Sequence, residues 1–174
     1  MNLNELISEG QYQIYCDQDG VLADFEGRFA HFSGLSCDDY MEKATKELGL
    51  RMARTKFWEL IDQQVGMRFW RGISWMAEGK ELWNYIKDHN PIILTAPSRN
   101  ECSKIGKKHW VADNLGDYEI IFKQAEEKPL LSGPNKILID DREDTILAWK
   151  ARQGIGILYT NTEDVIRELK SMGI

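Results

Sequence analysis

Five short apolar runs, separated by segments of helical pattern, constrain the fold of this 174-residue chain more than any other feature. Apolar residues at three-to-four spacing predict helices, whereas short apolar runs bounded by polar residues or glycine predict buried strands. The predicted strands cover residues 12–17, 91–95, 118–122, 136–140 and 156–160. Strands that alternate with helices form a parallel sheet with helices on both faces. The sequence therefore predicts a doubly wound, Rossmann-like α/β fold.

The alternation is interrupted between the first and second predicted strands. Helices are predicted here at residues 24–33, with Asp24 as N-cap, and at 37–48 and 52–65, and no strand-like run stands out between 34 and 76. Further helices are predicted at 78–86, 99–115, 143–153 and 163–172. We therefore expect residues 1–25 and 77–174 to form the α/β core, and residues 26–76 to form a small inserted helical cap.

Two aspartates leave the first predicted strand together. Asp17 and Asp19 are two positions apart, so an extended backbone points them to the same side, and Gly20 permits a turn with positive φ. Carboxylates this close repel each other unless a cation or a shared proton relieves them. A hard divalent ion such as Mg²⁺, bound by carboxylates and a substrate phosphate, is the simplest solution.

Polar residues also end two other predicted strands, at Thr95 and at the pair Asp140-Asp141. Ligands of parallel α/β sheets bind beyond the carboxyl ends of the strands, so these groups are expected to converge on one site. A strand-end hydroxyl, together with the N–H groups of the following turn, suits phosphate oxygens. Adjacent side chains cannot both point the same way. We therefore expect Asp141 to bind a metal ion directly and Asp140 to act through a water molecule or a neighbouring cation.

A family resemblance is carried by the run DQDGVLADFEG at residues 17–27. This run resembles the first motif of the haloacid-dehalogenase-type phosphohydrolases, and its longer part, DGVLADFEG, resembles the 5′(3′)-deoxyribonucleotidases. Thr95-Ala96-Pro97 and the aspartate pair at 140–141 are similar to the second and fourth motifs of the same superfamily. The match extends over most of the chain and fades in the middle of the predicted cap.

The resemblance implies a role for each matched residue. Asp17 is implied as the nucleophile that forms an aspartyl-phosphate, and Asp19 as the group that donates and then accepts the proton. Mg²⁺ is the implied cofactor, and the implied phosphate-binding residues are Thr95, Ala96 and a lysine. The lysine is either Lys123 or Lys128, and the family spacing favours Lys128. The implied metal ligands are Asp17, the carbonyl of Asp19, Asp141 and, indirectly, Asp140.

The resemblance also implies a substrate, because the cap of these nucleotidases packs an aromatic box on the nucleobase. Phe25 matches one member of that box, and the pair Phe57-Trp58 resembles another. The predicted substrates are therefore deoxyribonucleoside monophosphates. Two alternatives stay open: a phosphatase for sugar phosphates or other small metabolites, and a catalytically silent binding module on the same scaffold.

Composition restricts the class of partner and the compartment. A formal net charge of −6 disfavours polymeric nucleic acid, which requires a basic stripe, but is compatible with a small nucleotide. No apolar run approaches about 18 residues, and Met1–Glu5 lacks a basic region followed by an apolar one, so no membrane span or signal peptide is expected. Three scattered cysteines favour a reducing, cytoplasmic location. The oligomeric state stays open, a homodimer included.

Overall fold

Five parallel strands form one sheet in the computed structural model, which describes residues 11–174. The strands are β1 (Gln13–Cys16), β2 (Ile92–Thr95), β3 (Ile120–Phe122), β4 (Lys136–Asp140) and β5 (Ile155–Leu158). Their order is β3-β2-β1-β4-β5, and every neighbouring pair is parallel. The predicted α/β class and parallel sheet are confirmed. The expectations for residues 1–10, including the absence of a signal peptide, lie outside the described residues.

Helices account for most of the remaining described chain. They are α1 (Phe25–Ser33), α2 (Cys37–Leu48), α3 (Leu50–Glu59), α4 (Met67–Arg71), α5 (Gly79–Ile86), α6 (Glu101–Asn114), α7 (Glu143–Lys150) and α8 (Thr162–Ser171). A π-helical segment (Leu60–Val65) follows α3, and short 3₁₀ helices cover Lys87–His89 and Lys128–Leu131. No helix within residues 11–174 is long and apolar enough to cross a membrane.

The predicted elements are observed with boundary shifts of a few residues. Asp24 caps α1 as predicted, since its side chain accepts a hydrogen bond from the backbone N–H of Gly27. The predicted helix at 52–65 is instead an α-helix that begins at Leu50 and passes into the π-helical segment. Helix α4 was not predicted, because five residues are too few to show a helical period.

Apolar side chains cover both faces of the sheet. Tyr15, Leu94 and Leu138 share one face and pack with Ile146 and Trp149 of α7. The residues that alternate with them along the strands are Cys16, Ile93, Ile139 and Ile157, all buried. Both faces of β1 are therefore buried between β2 and β4, as expected for a central strand of a parallel sheet.

The chain divides into two compact units. The first consists of residues 11–22, 76–96 and 118–174 and contains the whole sheet with α5, α7 and α8. The second consists of residues 23–75 and 97–117 and contains α1 to α4, the π-helical segment and α6. The domain boundaries drawn from the sequence, which leave residues 97–117 in the core, stay a prediction, because compact packing alone does not define a separate domain.

Candidate active site

The carboxyl ends of the three central strands carry the predicted polar groups. Because β2, β1 and β4 are adjacent and parallel, Thr95, Asp17 and Asp140 reach the same edge of the sheet. β1 and β4 also form the point where the strand order reverses, which is the usual ligand position in such sheets. The first unit therefore brings Thr95, Asp17 and Asp140 to one edge of the sheet, and the roles assigned to them from the sequence stay predictions.

Backbone hydrogen bonds beyond the strands hold these residues in place. The N–H of Asp17 donates to the carbonyl of Ile139 at 2.9 Å, which extends the β1–β4 ladder to the first aspartate. The carbonyl of Thr95 accepts from the N–H of Lys123 at 3.1 Å, and the carbonyl of Asp140 accepts from Tyr159 at 2.9 Å. Each of the three strand ends is therefore anchored to a neighbouring segment.

Lys128 is the cation of the site. It lies at the start of the 3₁₀ helix, with only 2% of its surface exposed. Its Nζ lies 2.7 Å from Asp140 Oδ2 and 3.1 Å from Asp17 Oδ1. The ammonium group thus joins the ends of β1 and β4. The other candidate lysine, Lys123, contributes its backbone N–H to the Thr95 carbonyl.

Burial and neighbouring charges act on the pKa values of both Lys128 and Asp140. Burial alone would lower the pKa of Lys128, but the charges of Asp17 and Asp140 outweigh it and raise the pKa, so the ammonium stays charged. Loss of hydration, followed by the charge of Asp17, raises the pKa of Asp140 to about 6. Asp140 also accepts a hydrogen bond at Oδ1 from the N–H of Arg142 at 2.9 Å, which favours its ionised form.

Asp141 lies next to this buried pair but is exposed to solvent. Partial loss of hydration, and then the charges of Asp17 and Asp140, raise the pKa of its carboxyl group to about 7. The turn after β1 comes close to it. Gly20 has a φ of 79°, and a Cβ at this position would overlap the Asp141 carboxylate. Glycine is favoured here by its positive φ, and any larger residue would also displace the Asp141 carboxylate.

Three carboxylates can converge on one cation. Asp17, Asp140 and Asp141 each offer an oxygen atom, and these atoms lie within 4.8 Å of one another. The ammonium group of Lys128 pairs with two of these carboxylates, those of Asp17 and Asp140, so these four groups keep a net negative charge when all are ionised. Oxygen ligands and excess negative charge fit Mg²⁺, which binds through one or two carboxylates and keeps other positions for water or phosphate.

Of the other predicted site residues, two belong to the first unit and three belong to the second. Asp19 is half-buried in the turn after β1, and Ala96 is half-buried directly after β2. In the second unit, Phe25 is half-buried against Phe69, with ring centroids 5.4 Å apart. Phe57 stacks on Phe29 at 4.4 Å and is buried, whereas 43% of the surface of Trp58 is exposed. The substrate-binding roles of these three aromatic residues stay predictions.

Two contacts at the site were not foreseen from the sequence. The backbone N–H of Gln18 donates to Asp17 Oδ1 at 2.8 Å, and the backbone N–H of Arg142 donates to Asp140. Both donors are main-chain groups, which any non-proline residue supplies, so no residue type signals them. The positive φ of Gly20 was predicted from the sequence, whereas its close approach to Asp141 was not.

Comparison with solved structures identifies the fold. A HAD-superfamily hydrolase of subfamily IA from Geobacter sulfurreducens PCA gives a TM-score of 0.57 at 15% identity, covering 92% of this chain and 97% of that chain. A HAD hydrolase from Bacillus subtilis, bound to magnesium, gives 0.57 at 12% identity, covering 85% and 88%. L-2-haloacid dehalogenase from Xanthobacter autotrophicus gives 0.53 at 10% identity, covering 91% and 82%.

The chain therefore has the fold of the HAD-superfamily hydrolases, where HAD stands for haloacid dehalogenase. No protein-family model matches the chain, and a comparison with curated proteins yields no significant match. The superfamily-level resemblance found in the sequence is consistent with this fold. The narrower resemblance to the deoxyribonucleotidases and the cytoplasmic location stay predictions.

Proposed function

We propose that this chain is a Mg²⁺-dependent phosphomonoesterase that dephosphorylates deoxyribonucleoside monophosphates, with Asp17 as the nucleophile. The observation that carries the proposal is the buried ammonium group of Lys128, which contacts Asp17 and Asp140 beside Asp141. A site with a fixed cation, a strand-end hydroxyl and excess carboxylates suits a dianionic phosphate with a bound metal ion. The proposed partner is a small phosphate ester rather than polymeric nucleic acid.

Two hydrogen-bond donors fix the orientation of the Asp17 carboxylate, the proposed nucleophile. Its Oδ1 accepts hydrogen bonds from the backbone N–H of Gln18 and from Lys128 Nζ, at 2.8 and 3.1 Å. These two donors orient the carboxylate. Because both contacts are made by Oδ1, Oδ2 is the oxygen proposed to attack phosphorus.

The proposed reaction has two displacements at phosphorus. In the first, Asp17 forms a bond to phosphorus while the bond to the ester oxygen breaks, and Asp19 donates a proton to the leaving alcohol. In the second, Asp19 takes a proton from a water molecule whose oxygen attacks phosphorus. The bond to Asp17 then breaks, and inorganic phosphate and the free carboxylate are released. Asp19 thus ends in the protonation state in which it began.

Two residues are proposed to hold the phosphoryl oxygens, and three others to hold the cation. Thr95 supplies a hydroxyl at the end of β2, and Lys128 supplies a fixed positive charge. Asp17, Asp141 and the carbonyl of Asp19 would hold Mg²⁺, while Asp140 acts through Lys128. When bound, the ion supplies charge stabilisation for the phosphoryl oxygens.

Activity is expected to require Mg²⁺. Hydrolysis of p-nitrophenyl phosphate should fall by about 100-fold or more in EDTA and return when Mg²⁺ is added. Without the ion, the negative charges of Asp17, Asp140 and Asp141 would repel the phosphate. Asp141→Ala should raise the Mg²⁺ concentration for half-maximal activity by about tenfold, and more than Asp140→Ala does. The measurement is a Mg²⁺ titration of the initial rate for each variant.

Asp144→Ala is the matched control for the titration. Its carboxylate is exposed and pairs with Arg142 on the surface, so the Mg²⁺ dependence should stay at the wild-type value. Full activity in rigorously metal-free buffer would contradict the proposed cofactor. If Asp140→Ala had the larger effect, the two ligand assignments would have to be exchanged.

Substrate preference is expected to depend on the aromatic residues of the second unit. The resemblance of residues 19–27 to the deoxyribonucleotidases supports a nucleotide substrate, and Phe25 lies in that run. Stacking on a base contributes about 1–3 kcal/mol, so Phe25→Ala should lower kcat/KM for dUMP and dTMP by roughly fivefold or more. The same substitution should change kcat/KM for p-nitrophenyl phosphate and a hexose phosphate much less.

The proposed substrate-binding roles of Phe57 and Trp58 are tested with the same set of phosphate esters. Trp58→Ala removes an exposed ring, whereas Phe57→Ala removes a buried one and should lower the free energy of unfolding by about 3–5 kcal/mol. Equal losses on all substrates, or a hexose phosphate as the best substrate, would favour a metabolite phosphatase. The absence of hydrolysis of any ester by a folded, Mg²⁺-supplied protein would favour a binding module.

A further inference from the structure

Two polar side chains hold the far end of the 3₁₀ helix that begins with Lys128. The hydroxyl of Ser132, which directly follows this helix, donates to the carbonyl of Trp149 in α7 at 2.7 Å. The Nζ of Lys136, the first residue of β4, donates to the carbonyl of Leu131, the last residue of the helix, at 2.9 Å. These two contacts lie within the first unit and form a clamp on the helix.

Trp149 joins the clamp to the sheet. It is completely buried, and its ring packs with Tyr15 of β1 and Leu138 of β4. Its indole N–H donates to the backbone carbonyl of Lys136 at 3.1 Å. The two strands on which it packs are also those that end in the carboxylate partners of the buried ammonium group. The clamp therefore fixes the 3₁₀ helix relative to the strands that carry these carboxylates.

Gly154 leaves the space that the clamp occupies. A Cβ at this position would overlap both the hydroxyl oxygen of Ser132 and the indole nitrogen of Trp149. Each of these atoms donates a hydrogen bond to a backbone carbonyl. A side chain at position 154 would therefore displace at least one of the two donors, and glycine avoids this overlap.

The clamp reaches Lys128 through a single turn of helix. The backbone N–H of Ser132 donates to the carbonyl of Pro129 at 3.1 Å, and Pro129 directly follows Lys128. Pro129 is buried and its ring fixes its own φ, so the backbone has little freedom here. On the other side, the N–H of Lys128 donates to the carbonyl of Gln124 at 3.1 Å. A shift of Ser132 is therefore passed to the backbone of Lys128.

We propose that Ser132 and Lys136 are positioning residues for the ammonium group of Lys128. The proposal rests on the proposed function, because Lys128 is taken to bind the phosphoryl group. Ser132 and Lys136 do not touch the substrate. They fix the 3₁₀ helix, and the helix directs Nζ of Lys128 to Asp17 and Asp140. Lysine has a flexible four-carbon stem, so a fixed backbone is needed to hold its charge in one place.

The simpler alternative is that the clamp only stabilises the segment before β4. Loss of a clamp contact would then lower the free energy of unfolding and leave kcat of the folded protein unchanged. The positioning proposal instead requires an effect on kcat that is present only when Lys128 is present. Misplacement of a contacting group by about 1 Å can cost about 100-fold in rate, so this effect is measurable.

The test uses the whole protein and a double-mutant cycle. Ser132→Ala and Lys136→Met are each made in the wild type and in Lys128→Met. For every variant, kcat and KM for p-nitrophenyl phosphate are measured, together with urea denaturation. Ser171→Ala is the matched control, because it also removes a serine hydroxyl that donates to a backbone carbonyl, that of Glu168, at an exposed position of the same unit.

In the wild-type background, Ser132→Ala and Lys136→Met should each lower kcat by about tenfold and change KM by less than about threefold, because a fixed cation acts mainly on the transition state. In the Lys128→Met background, the same substitutions should leave kcat within about twofold. Lys136→Arg keeps a charged donor and should stay within about threefold of the wild type. Ser171→Ala should leave kcat unchanged.

The ammonium group also gives a readout that does not depend on catalysis. A buried, ion-paired ammonium group exchanges its hydrogens slowly with water, and this exchange is measured at the Nζ resonance by ¹⁵N NMR. The resonance is assigned by its loss in Lys128→Arg. Exchange should become several-fold faster in Ser132→Ala and Lys136→Met, and it should stay at the wild-type rate in Ser171→Ala.

Two results would overturn the proposal. One is unchanged exchange of the Lys128 ammonium group in both clamp variants, since the clamp would then not hold that group. The other is an equal loss of kcat with and without Lys128, since the clamp would then act on another part of the site. If Lys128→Met does not fold, or if the wild type hydrolyses no phosphate ester and the proposed function fails, the exchange rates still decide whether the clamp positions Lys128.

Discussion

Asp17→Asn should abolish hydrolysis of every phosphate ester while the protein stays folded. The amide cannot act as a carboxylate nucleophile, and removal of a catalytic group of this kind costs about 10⁴-fold or more in kcat. Asparagine is nearly isosteric and can still accept the hydrogen bond from the N–H of Gln18, so the packing at the end of β1 is retained. The measurement is kcat for p-nitrophenyl phosphate at saturating Mg²⁺, with circular dichroism to confirm the fold.

The matched control for this variant is Asp144→Asn. It makes the same chemical change at an exposed aspartate of α7, in the same unit, and should leave kcat unchanged. A folded Asp17→Asn protein with a near-normal rate would rule out the covalent mechanism. A phosphorylated wild-type protein, trapped by rapid acid quenching and lost in Asp17→Asn, would identify the acylphosphate directly.

Lys128→Met should reduce both activity and stability. The substitution leaves the carboxylates of Asp17 and Asp140 without their buried cation, and breaking such a pair costs about 3–5 kcal/mol of unfolding free energy. It also removes the positive charge that is proposed to bind the phosphoryl group, and this loss is expected to lower kcat by about 100-fold or more. Urea denaturation and initial rates measure the two effects.

Lys123→Met separates the two candidate lysines. The side chain of Lys123 is only half-buried, and its anchoring contact to Thr95 is made by the backbone, which methionine retains. Near-normal stability and kcat are therefore expected. The assignment of Lys128 would be wrong if Lys123→Met lost the activity and Lys128→Met kept it.

The strands and the polar residues at their carboxyl ends could be predicted because the pattern that marks them is local in the sequence. Each strand is a short apolar run, and the polar residues that follow it mark its carboxyl end, as at Asp17 and Asp140. The parallel arrangement then follows from alternation with helices, and it places those ends on one edge. The convergence of Thr95 with the aspartates thus follows from pattern and topology alone.

The choice of lysine could not be derived from pattern, because it depends on a three-dimensional contact. Lys123 and Lys128 both lie between the third and fourth strands, and nothing in their local sequence distinguishes a buried ammonium from a solvated one. The difference arises from the 3₁₀ helix, which directs Lys128 Nζ to Asp140. Only the resemblance to a family pointed to Lys128 beforehand.

The neighbours Phe57 and Trp58 illustrate a second limit of pattern. Consecutive residues of a helix differ by about 100° in direction, so one ring is buried on Phe29 while the other is exposed. The sequence places two large apolar side chains side by side in an aromatic-rich segment, but it does not indicate which of the two is buried. The π-helical segment is similarly invisible, because one widened turn does not change the apolar spacing enough to detect.

The central position of β1 has a consequence for synthesis on the ribosome. β1 is made first among the five strands, yet one of its two neighbours, β4, and its cation, Lys128, are encoded near the other end of the chain. Asp17 therefore leaves the ribosome long before either the carbonyl of Ile139 or the ammonium of Lys128 exists. Contacts between distant parts of a chain also form slowly. A nascent chain truncated before residue 128 has Asp17 but neither Lys128 nor β4.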